Sequence, residues 1–357
     1  MRSASRWILT MAVAMMGLAA GAPHAAAQEK KDFKLAWTIY AGWMPWAYAA
    51  ESGIVKKWAD KYGISIDIVQ LNDYVESINQ YTAGKFDGVT CTNMDTLTIP
   101  AAGGVDTTAL IVGDYSNGND AIVLKDGKML ADIKGRKVNL VELSVSHYLL
   151  ARGLESVKLS ERDVTVVNTS DADIVAAFAA PDVTAAVAWN PQLAEIVKMP
   201  KATEVFSSRQ TPGEILDLAV VNTAVLKANP NFGKALVGAW YETMAVMSKD
   251  DEAGKAARTL MGKLAGTTLE GFDAQLKTTF MYYQPQAALA YVKSPDLMKV
   301  MDLVRTFSFT HGLLGEGAKT KDAVGIAFPG GKTLGDANNV KMRFDAEYVQ
   351  MAADGKL

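Results

Sequence analysis

The sequence predicts an α/β protein of two lobes, each a mixed sheet flanked by helices, with a helical C-terminal tail packed back on the first lobe. Three observations carry that expectation. From Phe33 onward short β-like runs alternate with runs of helical spacing, and such alternation over short links implies parallel strands with right-handed crossovers. The pattern is interrupted by the polar stretch Asp114–Asp120 and then restarts, which marks passage into a second lobe. Finally, 357 residues at 49% hydrophobic composition exceed one domain of ~150 residues and bury a full core, which excludes a disordered chain.

The elements follow in order. Phe33 to Ile39 is apolar and β-branched and reads as a strand. Pro45 to Tyr62 carries helical spacing through Trp46, Ala49, Ala50, Ile54 and Trp58, and Gly63 stops it. Ile64 to Leu71 alternates as a strand, Asn72 or Asp73 caps a helix whose inner face is Val75, Ile78 and Tyr81, and Gly84 ends it. Val89 to Thr92 is a third strand. Ala109–Val112 and Ala121–Leu124 flank the polar stretch, and Lys137–Val141 precedes a helix starting near Ser144 or Ser146. Val164–Val167 is a strand, Asp171–Ala180 a helix and Val183–Ala188 a strand. Asn190-Pro191 opens a further helix, and Ile215–Val221 is the last strand of this series. From Ala224 to about Leu313 the spacing is helical, with caps at Asn229-Pro230, Thr268 and Ser294-Pro295. The expected division is therefore residues 28–120 and 222–357 for lobe one with its tail, and 121–221 for lobe two. The hinge crossings then fall near Asp114–Asp120 and Val221–Ala224.

Residues 1–27 read as an export signal: Arg2 and Arg6 precede the apolar run Trp7–Ala20, and Ala25-Ala26-Ala27 supplies small residues for cleavage. At fourteen residues the run falls short of the ~20 that span a bilayer. Cleavage after Ala27 changes the formal charge from −3 to −5, since two arginines leave. Neither value gives the basic footprint of a nucleic-acid binder. The lone Cys91 forms no intrachain disulfide, lies far from the cleavage site and so anchors no lipid there, and reads as a core residue. One cysteine and three histidines make no zinc cluster. Nucleophile-elbow and dinucleotide motifs are missing, and Gly325–Thr333 fails the phosphate-loop spacing because the position six before Lys332 is Ile326. It reads as a surface turn. No catalytic residue, cofactor or metal is expected, and the chain reads as a binding protein rather than an enzyme.

In open α/β sheets ligands gather beyond the carboxyl ends of the strands. The loops there contain no lysine or arginine. They hold Tyr40, Trp43, Trp46, Asn93, Asp95, Glu142, Ser144, Ser146, His147, Trp189 and Asn190, and Asp217 stands at the start of the last strand. Carboxylates beside aromatic faces suit a small cation or a neutral molecule rich in N–H donors; each ring face attracts positive charge by ~0.5–2 kcal/mol. A bland role competes at each position. Asp73, Asp95 and Asp171 serve equally as helix caps, and Trp46 lies on the apolar face of its helix. Trp43, between Gly42 and Met44-Pro45, is harder to bury locally. Glu142 is a poor cap beside Ser144 and Ser146 and is expected to face the ligand. Asp217, inside an apolar strand, needs a partner.

The Tyr40–Trp46 turn, the Gly84–Gly88 segment and the Lys134–Val138 entry into a strand resemble the substrate-binding proteins of nitrate/sulfonate/taurine-type ABC transporters. Val138–Tyr148, Trp189-Asn190-Pro191 and Gly213–Leu218 are similar to the branch encoded beside urea carboxylase. The resemblance implies a two-lobed periplasmic-binding-protein fold (type II-like), a monomer in the periplasm, a membrane permease as partner and a small solute as ligand. Combined with the acid-only strand ends, it favours guanidinium, with urea-like compounds next. The alternatives are an anion receptor for nitrate, taurine or a sulfonate, a thiamine-pyrimidine-synthase-like enzyme, and a ligand-sensing subunit.

Overall fold

The computed structural model describes residues 30–357; the expected export signal lies outside the described residues. Among them no helix is long and apolar enough to cross a membrane. The strands are β1 Asp32–Trp37, β2 Ser65–Gln70, β3 Gly88–Thr92, β4 Thr107–Ser116, β5 Asp120–Lys125, β6 Lys137–Leu140 and β7 Thr165–Asn168. They continue as β8 Ala185–Trp189, β9 Ala202–Ser207, β10 Leu216–Asn222, β11 Thr279–Met281, β12 Gly325–Phe328, β13 Lys332–Leu334 and β14 Val340–Phe344.

Two sheets result. The larger runs β13-β12-β14-β4-β10-β3-β1-β2, with β11 paired to β4; the smaller runs β7-β6-β8-β5-β9. β1 lies parallel to β2 and β3, as the strand–helix alternation predicts, and β6 lies parallel to β7 and β8. β5 runs antiparallel between β8 and β9, so both sheets are mixed.

The expected boundary at residue 221 is corrected. β10 is buried from Leu216 to Val221 and hydrogen-bonds antiparallel to β3 on one side and β4 on the other. A strand buried on both faces needs partners on both edges, and the larger sheet provides them. The second crossing is therefore the segment 208–215, not Val221–Ala224. The first is the three-residue link 117–119 between β4 and β5.

Smaller departures also have causes. The helix expected over 45–62 is two helices, Met44–Glu51 and Ile54–Lys61, because Gly53 adopts a left-handed φ of 78° between them. Beyond the helical tail, β12, β13 and β14 extend the larger sheet, and Gly330-Gly331 makes the turn of the β12–β13 hairpin. The tail packs against the larger sheet's side: Trp240 of helix Pro230–Met247 meets Trp46 at 5.2 Å between ring centroids.

Candidate functional site

The carboxyl ends of β1, β3 and β8 and the start of β10 converge on one cavity. Tyr40 and Trp43 come from the turn after β1, Thr92 from the end of β3, Asp120 from the first residue of β5 and Trp189 from the end of β8. Tyr74 and Val145 begin helices, and Ile215 and Asp217 complete the lining. The free volume between them is about 20 Å³. A single water needs roughly 10–15 Å³ by the same measure, so the cavity as it stands has room for one or two waters.

The aromatic walls brace one another. Trp43 meets Tyr40 edge-on at 5.0 Å and Tyr74 at 5.8 Å, and Tyr74 meets Trp189 edge-on at 5.6 Å. Beneath them lie four buried acids: Asp95, Asp114, Asp120 and Asp217, with exposures of 1%, 0%, 3% and 4%. Tyr40 donates to Asp114 Oδ1 at 2.8 Å; Tyr74 and Thr92 donate to Asp95 Oδ2 at 2.7 and 2.9 Å; Ser116 donates to Asp120 Oδ2 at 2.5 Å. Asp95 Oδ1 and Asp114 Oδ2 are buried without a hydroxyl or N–H donor, and the indole N–H of Trp43 is buried without an acceptor.

No lysine or arginine forms an ion pair with these acids among the described residues. Burial therefore dominates their chemistry, since removing a carboxylate from water disfavours its charged form. It pushes Asp95 up to about 6, against the hydroxyls of Tyr74 and Thr92, whose hydrogen bonds hold the carboxylate form. It likewise pushes Asp120 up to about 6, against Ser116 and Asn119. Asp114 and Asp217 face each other in the β4–β10 register and are both driven upward by burial; Asp217 is raised further by the charges of Asp114 and Asp120.

Of the residues read from the sequence, Tyr40, Trp43, Trp189 and Asp217 line the cavity and Asp95 lies behind Tyr74 and Thr92. Ser146 is fully buried in the first turn of the helix whose first residue, Val145, lines the cavity, and its hydroxyl has no partner. The others are elsewhere. Trp46 is core. Asn93 ties the chain before β10, donating to Glu214 O at 3.1 Å and accepting from Leu216 N–H at 3.1 Å. Ser144 caps its helix, accepting from Ser146 N–H. Asn190 donates to Thr278 at 3.1 Å. Glu142 is solvent-exposed, because the chain turns left-handed at Leu143 (φ 63°), and only its backbone N–H is engaged, by Asn168. His147 points away from the cavity to Glu161.

Sequence reasoning missed Asp114 and Asp120, which it treated as hinge polarity. The signal was their position at the ends of two apolar strands. Asp73 is a cap, accepting from Glu76 N–H at 2.8 Å, but Asp171 instead accepts from Tyr74 N–H at 3.2 Å, joining the smaller sheet's side to the larger.

Two mixed sheets joined by two crossings, with a cavity at the strand ends between them, define the periplasmic-binding-protein fold. Within that fold the chain belongs to the NMT1/THI5-like family, whose model matches residues 47–254. A curated binding protein of Brucella abortus (strain 2308) is 24% identical over 199 residues, 54% of this chain and 59% of that protein. The chain thus matches somewhat over half the length of that relative. Among solved structures, the alkanesulfonate-binding protein of Xanthomonas axonopodis pv. citri bound to MOPS superposes with a TM-score of 0.67 at 17% identity, covering 83% of this chain and 99% of that one. The periplasmic nitrate-binding protein of Synechocystis PCC 6803 gives 0.65 at 14% identity, covering 92% and 89%.

Proposed function

We propose that this protein is an exported solute receptor of an ABC importer, binding a small nitrogen-rich cation between two lobes, with guanidinium the favoured ligand. One observation carries the reading: Asp120 and Asp217 line a small cavity walled by Tyr40, Trp43, Tyr74 and Trp189, with the buried Asp95 and Asp114 directly behind those walls, and no base pairs with any of the four. A planar cation satisfies unpaired carboxylate oxygens through its N–H edge and the ring faces through its charge. An anion such as nitrate or a sulfonate would meet these acids without a countercharge. The family and the fold of the sulfonate- and nitrate-binding neighbours support the receptor role, delivery to a permease and a periplasmic location.

A neutral urea-like ligand is the second reading, favoured by the unpartnered indole N–H of Trp43, which suits a ligand carrying an acceptor. Thermal unfolding tests both. Guanidinium at millimolar concentration is expected to raise the melting temperature by mass action. A shift from nitrate or taurine and none from guanidinium or urea would reject the cation site.

A further inference from the structure

We infer that the Asp114–Asp217 pair is the specificity determinant of this site: it takes a cation by giving up a proton, and takes a neutral isostere when the proton stays. The inference rests on the receptor reading above and specifies how that site selects charge.

Asp217 on β10 stands opposite Asp114 on β4 in the antiparallel register, and both carboxyl groups are buried. Ionised carboxylates only accept and repel each other, so two that face each other in one buried site are best accommodated with a proton held between them. The surroundings offer no other charge. Asp114 is faced by Tyr40 from the turn after β1, Asp217 from β10, Asp120 from β5, and Tyr282 and Tyr283 after β11. Asp217 is faced by Tyr40, Asp114 and Asp120. All are acids or neutral hydroxyls. The remaining oxygen, Asp114 Oδ2, is buried without an amide or hydroxyl donor, and Gly42 leaves the space against it: a Cβ there would fall 2.4 Å from Oδ2.

A monocation entering this cluster compensates one negative charge. The carboxylate that meets it is best ionised, so the shared proton leaves to solvent as the cation arrives, and the net charge of the site is unchanged. Urea has the planar shape of guanidinium with an acceptor oxygen in place of one N–H group. It calls for a donor, and the protonated carboxyl supplies one. The raised titration of the neighbouring acids, about 6 for Asp95 and Asp120, places the exchange within an accessible pH range.

The test is isothermal calorimetry of the wild-type protein with guanidinium chloride and with urea, from pH 5 to 8, in pairs of non-sulfonate buffers of different ionisation enthalpy. Release approaching one proton per guanidinium is expected at pH 6, with affinity rising up to tenfold per pH unit at the acid end and levelling above it. Urea affinity is expected to stay flat or fall over the same range. Asp114→Asn should abolish the proton release, weaken guanidinium at least tenfold and spare urea. Guanidinium binding with no proton exchange and constant affinity from pH 5 to 8 overturns the inference and leaves the receptor reading standing. Binding of neither solute at any pH overturns both. Should the variant not fold, the proton count of the wild type decides alone.

Discussion

Because burial lifts the titration of Asp95, Asp114, Asp120 and Asp217, the empty folded protein holds more protons near neutrality than the unfolded chain, whose aspartates titrate near ~3.9. Stability from these groups is therefore full below about pH 4 and declines as pH rises through their folded values. Asp114→Asn removes one such charge while keeping its size. It is expected to stabilise the unliganded protein at pH 8 by ~1–3 kcal/mol, at ~1.4 kcal/mol per pKa unit relieved, even as it weakens the proposed guanidinium binding at least tenfold. Chemical denaturation at pH 5 and pH 8 checks this, with little gain expected at pH 5. Gly42 gives a second case. A Cβ added there would lie 2.4 Å from Asp114 Oδ2 and 2.5 Å from the Tyr40 ring, so Gly42→Ala should cost ~1–3 kcal/mol of stability and at least tenfold in guanidinium affinity. Glu142→Gln, at an exposed position outside the cavity, should leave both unchanged within ~0.5 kcal/mol.

At the scale of elements, one carboxylate ties the helix Val145–Ser156 to the helix Pro295–Thr310. Glu161, in the short 3₁₀ turn Glu161–Asp163, accepts from His147 through one oxygen and from His311 through the other. Hydrogen-bond accounting fixes the ring states. Leu143 N–H donates to His147 Nδ1, so His147 gives its single proton from Nε2. His311 meets the Phe307 carbonyl with Nδ1 and Glu161 with Nε2, both acceptors, so it carries two protons and a charge. Those bonds hold Glu161 down at about 2 and raise His311. The Glu161 contribution is complete above its unfolded value of ~4.3 and disappears as pH falls through 2. The His311 contribution is complete below ~6.5 and disappears as pH rises through its folded value. The tie is thus strongest between roughly pH 4.5 and 6.5. Glu161→Gln should lower guanidinium affinity about three- to tenfold at pH 6 and enlarge the unliganded protein in small-angle scattering. Unchanged scattering and affinity would show that the tie does not bear on closure.

For the whole molecule, the proposed cationic ligand would oppose the loss of stability with pH by neutralising the acid cluster. At a hundred times its dissociation constant any ligand of the folded state alone adds ~2.7 kcal/mol by mass action. The gain in melting temperature from a fixed guanidinium concentration should be greater at pH 8 than at pH 5, which differential scanning fluorimetry measures directly. Much of this architecture was legible in the sequence, for identifiable reasons. β1 to β8 announce themselves through β-branched runs and Gly or Asn stops. The strand-end rule points to Tyr40, Trp43, Trp189 and Asp217, which line the cavity. β10 was visible as a buried strand, but an apolar run does not say which sheet will flank it, so it was assigned across the hinge. β12 and the start of β13 lie in the Gly325–Thr333 stretch, whose glycines and proline read as a surface turn, and β11 is three residues within a helical run. Asp114 and Asp120 were hidden because acids beside Ser116, Asn117 and Asn119 look like solvent-facing polarity until β10 and β11 enclose the first and β8 the second.

Asp114 and Asp120 stand just outside the 117–119 link, whereas the hydrogen bond from Tyr74 N–H to Asp171 lies away from it, between the larger sheet's side and the smaller. On the proposed receptor reading, rotation about the two crossings would carry acids beside the link only a short way and move the Asp171–Tyr74 contact further. Under that reading charge would govern capture and bulk would govern rotation. An alkylated guanidinium would then anchor on the same acids while its tail wedges the lobes apart, and it is expected to block uptake rather than serve as cargo.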